Sequence, residues 1–116
     1  MTETVRTYHH AAMMNADEAV LARHNGDMAA ARNISEQAYK LERAAAELLP
    51  PEKLHEPSRS ILWRSAAALA NSAGLYVEAF QCVEEARKGY VPAWVMRELA
   101  DEANRAWRLK NGESEE

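Results

Sequence analysis

The sequence is poor in the residues that break helices and in those that build sheets. Among its 116 residues are four glycines and four prolines, and valine and threonine are also few. β-Branched residues favour strands, so their scarcity argues against a sheet as the main architecture. Alanine, glutamate, arginine and leucine are abundant instead, and these residues favour helices. We therefore expect an all-α fold.

Cysteine and long apolar runs are nearly absent as well. Cys82 is the one cysteine, so no internal disulfide can form, which favours a reducing compartment. Its apolar neighbours at helical spacing predict a small core residue rather than a reactive thiol. The N-terminal segment has no signal-peptide block, and no run is long enough to span a bilayer. These absences predict a cytoplasmic protein with no membrane association.

Positive charge is spread along the chain rather than concentrated. Lysine and arginine number 14 against 18 aspartates and glutamates, which gives a net charge of −4. Without a basic stripe, nucleic acid is not an expected partner. The last residues, GESEE, form an acidic tail that we expect to be frayed and solvated.

Motifs of catalysis and metal binding are missing. The chain has no HExxH, cysteine pair, EF-hand loop, GxSxG or glycine-rich phosphate loop. His9 and His10 are adjacent, so on a helix they point about 100° apart and cannot form a one-face metal pair. The sequence predicts no enzyme, no cofactor and no metal site. A small helical enzyme or nucleic-acid effector stays open as a further alternative, because sites assembled across helices leave little sequence signature.

The few glycines and prolines divide the chain into helical segments. Gly26 and Gly74 each follow a helical pattern, as the left-handed residue that ends a helix does. Pro50 and Pro51 stop one helix, and Pro57 suits the first turn of the next. Five helices are therefore predicted, at 3–24, 27–49, 57–73, 75–88 and 92–110.

The lengths of the links predict how these helices pack. Links within the first and second pairs are very short, so the helices of each pair must run antiparallel. We expect a single all-α domain, a five-helix stack of two antiparallel hairpins and a C-terminal capping helix. Its parts are a hairpin at about 3–49, a linker at 50–56, a hairpin at about 57–88, a capping helix at about 92–110 and an acidic tail at 111–116.

Apolar side chains at helical spacing mark the faces expected to be buried. In the second predicted helix these are Ala31, Ile34, Ala38, Leu41, Ala45 and Leu48. In the fifth they are Met96, Leu99, Ala100, Ala103 and Trp107. Ala67 and Ala79 lie on either side of Gly74, where small side chains allow the third and fourth helices to cross closely.

The two hairpins form a partial internal repeat. When Gly26 is aligned on Gly74, small residues superpose: Ala19, Ala22, Ala31 and Ala38 on Ala67, Ala70, Ala79 and Ala86. The second copy reads Trp63-x2-Ala66-Ala67-x2-Ala70, then Ala79-x3-Val83, then Pro92. This pattern resembles the tetratricopeptide repeat (TPR), W-x2-L-G-x2-Y followed by A-x3-F and a proline. The chain is also similar to small stand-alone bacterial TPR-like proteins.

The resemblance implies a helical module that binds a protein or peptide. In TPR-like stacks the first helix of each hairpin lines a concave face, which here implicates Arg23 on the first helix and Ile61, Arg64, Ala68 and Asn71 on the third. Arg23, Arg64 and Asn71 would hold a peptide carboxylate or backbone. Arg64 could instead be solvated or ion-paired.

Two further possibilities stay open at this point. Trp94, beside Pro92, could lie in the core or at an interface, since tryptophan is common at interaction hot spots. The chain could also be a structural protein that forms a homodimer through its first helix, at Met13 and Met14, or through the ends of the stack.

Overall fold

The computed structural model describes residues 1–115. Within this range the chain forms five α-helices and one 3-10 turn at Lys53–His55. The helices are α1 (Glu3–His24), α2 (Met28–Glu47), α3 (Ser58–Ser72), α4 (Tyr76–Arg87) and α5 (Ala93–Lys110). The predicted all-α class is confirmed, and no observed helix end lies more than two residues from its predicted position.

The helices pack in chain order. α1 contacts α2, α2 contacts α3, and α3 contacts α4, while α5 lies against both α3 and α4. Only three residues separate α1 from α2 and α3 from α4, so each of these packed pairs runs antiparallel. In the described part of the chain, none of the helices has the length and apolar composition that crossing a bilayer requires.

Two glycine turns of the same design connect the antiparallel pairs. Gly26 and Gly74 have φ of +82° and +80°, a conformation that glycine adopts without strain. In both turns the amide after the glycine donates to the carbonyl five residues earlier, at 2.9 Å in the first and 2.8 Å in the second. This is the Schellman arrangement, so the predicted left-handed helix ends are confirmed.

The small residues around Gly74 lie in the core. Ala67 and Ala79 are fully buried, and Trp63 and Val83 are buried in the same apolar cluster. Cys82 belongs to this cluster too, and burial raises the pKa of its thiol to about 12. At neutral pH the thiol is therefore protonated, as expected of a core cysteine rather than a nucleophile.

α2 buries a wider face than the sequence predicts. Its predicted alanines are buried, but so is a second row: Ser35, Tyr39, Glu42 and Ala46. The width follows from position, because α2 has α1 on one side and α3 on the other. The prediction was wrong for Leu48, which follows the last turn of α2 and is exposed.

The apolar stripe predicted for α5 is not buried at its two ends. Met96 and Trp107 are exposed, the latter by 63%, whereas Val95, Leu99 and Ala106 are buried. Both sets have helical spacing and share Leu99, but the contacts with α3 and α4 bury Val95 and Ala106, each one residue before a predicted position. Sequence periodicity alone could not choose between them.

Arg59 fastens one end of the stack. Its side chain is 3% exposed, and its Nε donates to the carbonyl of Leu49 at 3.1 Å. Nη1 and Nη2 donate to the carbonyls of Ala86 and Glu85 at 3.1 and 2.8 Å. One guanidinium at the start of α3 thus donates to the carbonyl of Leu49, just after α2, and to two carbonyls in the last turn of α4, which also accept the main-chain amides of Lys88 and Gly89. We call this group the Arg59 clasp.

Candidate functional site

A cavity of about 330 Å³ lies at the opposite end of α3 from the Arg59 clasp. Its walls come from the two glycine turns, the end of α3 and the end of α5. Three arginines line it, one each from α1, α2 and α5: Arg23, Arg32 and Arg105. We call it the arginine cavity. The chain as a whole carries a net charge of −4, so this concentration of positive charge stands apart from the overall balance.

Arg105 is held in place from two sides. Its Nη1 donates to the carbonyl of Ala68 at 3.2 Å and to Glu102 Oε1 at 3.3 Å, and its Nη2 donates to Ser72 Oγ at 3.2 Å. These contacts with α3 and α5 fix the plane of the guanidinium. The edge formed by Nε and Nη2 is thereby positioned for a bidentate partner.

A carboxylate from the chain's own tail meets that edge. Arg105 Nε donates to the two oxygens of Glu115 at 3.1 and 3.0 Å, and Nη2 donates to Oε1 at 2.9 Å. The hydrogen bonds from Arg105 lower the pKa of Glu115, and the charges of Arg108 and Arg23 act in the same direction. Glu115 is exposed, as expected of a solvated tail, but it is also ion-paired with Arg105. Glu116 lies outside the described residues.

Asn71 adds a buried polar group to the cavity wall. The residue is 2% exposed, and its Nδ2 donates to the carbonyl and the Oε1 of Glu102 at 3.0 and 3.1 Å. Its Oδ1 has no hydrogen-bond partner among the described residues. A buried acceptor without a donor lowers the free energy of unfolding.

The structure brings two of the predicted site residues into one place. Arg23 and Asn71 both line the arginine cavity. Each lies three residues before its glycine, Gly26 or Gly74, so the two positions are equivalent in the internal repeat. Ala68 lies beside them through its carbonyl, which accepts from Arg105.

The other predicted site residues lie elsewhere. Arg64 donates from Nη1 to Glu98 Oε2 at 2.9 Å, so the ion-paired alternative describes its state. Ile61 is partly buried against the core cluster. Trp94 is exposed at the start of α5, which decides against a core position for it. None of the three is among the residues that line the arginine cavity.

Sequence reasoning missed Arg32 and Arg105. Neither residue was named as a candidate from the sequence. One signal would have found Arg32: the glycine turns place the ends of four helices at the same end of the stack, so polar residues near Gly26 and Gly74 become neighbours. No such signal existed for Arg105, because its position depends on how α5 lies across α3.

A second polar contact joins α1 to α2. His9 Nδ1 lies 2.8 Å from Oε1 of Glu42, a fully buried carboxyl. Burial raises the pKa of Glu42, while hydrogen bonds from His9 and Ser65 and the charge of Arg64 oppose that rise. In the described part, no group of three or more potential ligands could hold a metal ion. We interpret the His9–Glu42 pair as a structural tie.

Comparison with protein-family models, with curated proteins and with solved structures yields no match to this chain. The structure stands as a five-helix all-α domain without a family assignment, and its function has to be argued from the geometry of the arginine cavity.

Proposed function

We propose that this chain is a small TPR-like adaptor that binds an acidic segment of a partner protein in the arginine cavity. Two antiparallel hairpins form the body of the module, and α5 is its capping helix. The observation that carries the proposal is the carboxylate of Glu115, which Arg105 already binds through two nitrogens in this cavity. The proposal gives the chain no catalytic role and no cofactor.

The repeat supports a shared binding face. Both hairpins end their first helix with the same glycine turn, and both supply a polar residue three positions earlier, Arg23 and Asn71. An arginine from one repeat and an amide from the other therefore face a common cavity. The first helices of the two hairpins thus each supply one residue of the proposed site, which Arg32 of α2 and Arg105 of α5 complete.

The chemistry of the cavity favours a peptide. Guanidinium forks bind carboxylates bidentately, and the edge of Arg105 is already oriented for this. A volume of about 330 Å³ has room for one or two side chains rather than a folded surface. An extended acidic segment satisfies both conditions.

A peptide titration tests the proposal. Fluorescence anisotropy would follow a labelled Gly-Glu-Ser-Glu-Glu peptide and its neutral counterpart Gly-Gln-Ser-Gln-Gln. We expect Arg105→Gln to weaken binding of the acidic peptide about tenfold or more, because one charge-assisted hydrogen bond contributes about 1.5–3 kcal/mol. Arg64→Gln is the matched control: the same charge is lost outside the cavity, and affinity should hold. Equal binding of both peptides, or equal losses in both variants, would reject the arginine cavity as the site.

Self-association is the second candidate function. α1 is the outermost helix on its side of the stack, and Met14, Val20 and Leu21 are exposed on it. Apolar side chains on a terminal helix can be buried against a second copy. Light scattering over a range of concentrations, with Leu21→Glu for comparison, tests this candidate. A monomer at high micromolar concentration would remove it.

A further inference from the structure

The acidic tail reaches the arginine cavity through a turn that its own sequence builds. α5 ends at Lys110, and Gly112 follows with φ of +83°. The amide of Gly112 donates to the carbonyl of Leu109 at 3.1 Å, and that of Glu113 donates to the carbonyl of Arg108 at 3.0 Å. This is the same reversal as at the two interhelical glycine turns, so the chain folds back along α5. A Cβ on Gly112 would meet nothing within 4 Å, which shows that the glycine is required for its φ rather than for space.

We infer that residues 113–115 are a built-in competitor, whose Glu115 carboxylate occupies the arginine cavity until an acidic segment of the partner displaces it. The inference rests on the proposed function, since it supplies the regulation of that same site. The tail presents the group that the cavity is proposed to bind, a carboxylate on an extended chain, at the position where the bound ligand would lie.

The contact has the strength expected of a displaceable ligand. The side chain of Glu115 is 52% exposed, whereas that of Arg105 is 22% exposed. Ion pairs that solvent reaches on one side are weak and are screened by salt. When the tail leaves, Arg105 keeps its hydrogen bonds to Ala68 and Ser72, so the binding edge stays oriented for the next carboxylate.

The effective concentration of the tail near the cavity determines how much the tail weakens the binding of a free peptide. A short flexible connection presents the tail to the cavity at about 1 mM. If a free acidic peptide binds the open cavity with a Kd of about 0.1 mM, the tail occupies the cavity in about tenfold excess and weakens the apparent affinity about tenfold. A partner with several carboxylates would overcome this competition, whereas a singly charged segment would not.

The test uses the full chain and a matched pair of tail variants. Glu115→Gln removes the carboxylate that Arg105 holds, while Glu113→Gln removes the same charge from the same tail outside that contact. The probe is the labelled Gly-Glu-Ser-Glu-Glu peptide, with the sequence of residues 112–116. We expect Glu115→Gln to bind it about tenfold more tightly than the parent chain, and Glu113→Gln to bind it as the parent chain does.

The outcomes separate this inference from the proposed function. If parent and Glu115→Gln bind the peptide equally and Arg105→Gln loses it, the competitor is rejected and the binding site stands. If no variant binds the peptide, the proposed function fails and the competitor with it. NMR of the Arg105 Nε–H signal gives a readout that needs no peptide: Glu115→Gln should shift this signal and Glu113→Gln should not. An unmoved signal in both variants overturns the tail contact.

Discussion

Two arginines at opposite ends of α3 have contrasting surroundings, one entirely within the fold and the other in the cavity that we propose as a binding site. The nitrogens of the Arg59 guanidinium donate to three main-chain carbonyls inside the fold. The nitrogens of the Arg105 guanidinium donate to Ala68 and Ser72 inside the fold and also to the carboxylate of Glu115 in the tail. The partners of Arg59 are main-chain groups of packed elements, whereas the Glu115 partner of Arg105 is a half-exposed tail side chain, which we propose is exchangeable. A guanidinium becomes a binding group when the fold orients it but leaves one edge to be met by another group.

The largest expected effect separates the two arginines by stability. Arg59→Ala removes the donor to three carbonyls at the ends of α2 and α4, and we expect it to lower the free energy of unfolding by about 3–5 kcal/mol. Arg105→Ala loses partly solvated contacts and should cost about 1–2 kcal/mol. Urea unfolding of both variants measures the difference. A loss as large for Arg105→Ala as for Arg59→Ala would show that the two ends of α3 are not distinct in this way.

Two glycines sharpen the comparison at the clasp. A Cβ on Gly89 would lie 2.6 Å from Nη1 of Arg59, which its hydrogen bonds hold in place. We expect Gly89→Ala to displace the guanidinium and to cost about 2 kcal/mol. The control is Gly74→Ala, where a Cβ meets nothing within 4 Å and the cost of about 1 kcal/mol comes from φ alone. A lower midpoint of thermal unfolding for Gly74→Ala than for Gly89→Ala would contradict the stabilising role of the Arg59 clasp.

The carboxyl groups of Glu42 and Glu115 provide a second contrast, because the first is buried and the second is exposed. Burial raises the pKa of Glu42 above the usual 4.5, so its contribution to stability is largest below pH 4.5 and is lost as the pH rises through the raised value. Glu42→Gln cannot ionise. We expect the free energy of unfolding of this variant to rise by about 1 kcal/mol relative to that of the parent chain between pH 4 and pH 8. Denaturant unfolding across this range checks it, and a relative loss with rising pH would refute the sign.

The smallest effect is expected at Glu115. Its pKa is lowered by Arg105, so its contribution is present above pH 4.5 and is lost as the pH falls through the lowered value. Because the side chain is half exposed, Glu115→Gln should cost less than about 1 kcal/mol at pH 7. At pH 3 the cost should be smaller still. Unfolding curves at both pH values measure it, and a larger penalty at pH 3 than at pH 7 would argue against the Arg105 contact.

The helices and turns could be predicted from the sequence because local chemistry determines them. Gly26 and Gly74 end α1 and α3 through their φ, and prolines 50, 57 and 92 mark helix ends. Arg23 and Asn71 came instead from the resemblance to the tetratricopeptide repeat, and both line the arginine cavity.

The rest depends on tertiary packing that no local pattern records. The buried seam of α5 includes Val95 and Ala106 in place of the predicted Met96 and Trp107, and the way that α5 lies against α3 also brings Arg105 to the cavity. Arg59 gave no signal for a related reason: the carbonyls that it meets come from residues 10 to 27 positions away along the chain. Charged residues on helices look alike in sequence, and their partners tell them apart.

The most direct test of the central claim observes the arginines themselves. NMR of the arginine Nε–H signals during titration of the Glu115→Gln chain with the labelled Gly-Glu-Ser-Glu-Glu peptide, where Arg105 starts without the tail carboxylate, distinguishes cavity from clasp in a single sample. We predict that the signals of Arg105 and Arg23 shift as the peptide binds, while that of Arg59 stays in place. Shifts at Arg59 equal to those at Arg105, or binding with no change at Arg105, would contradict the account.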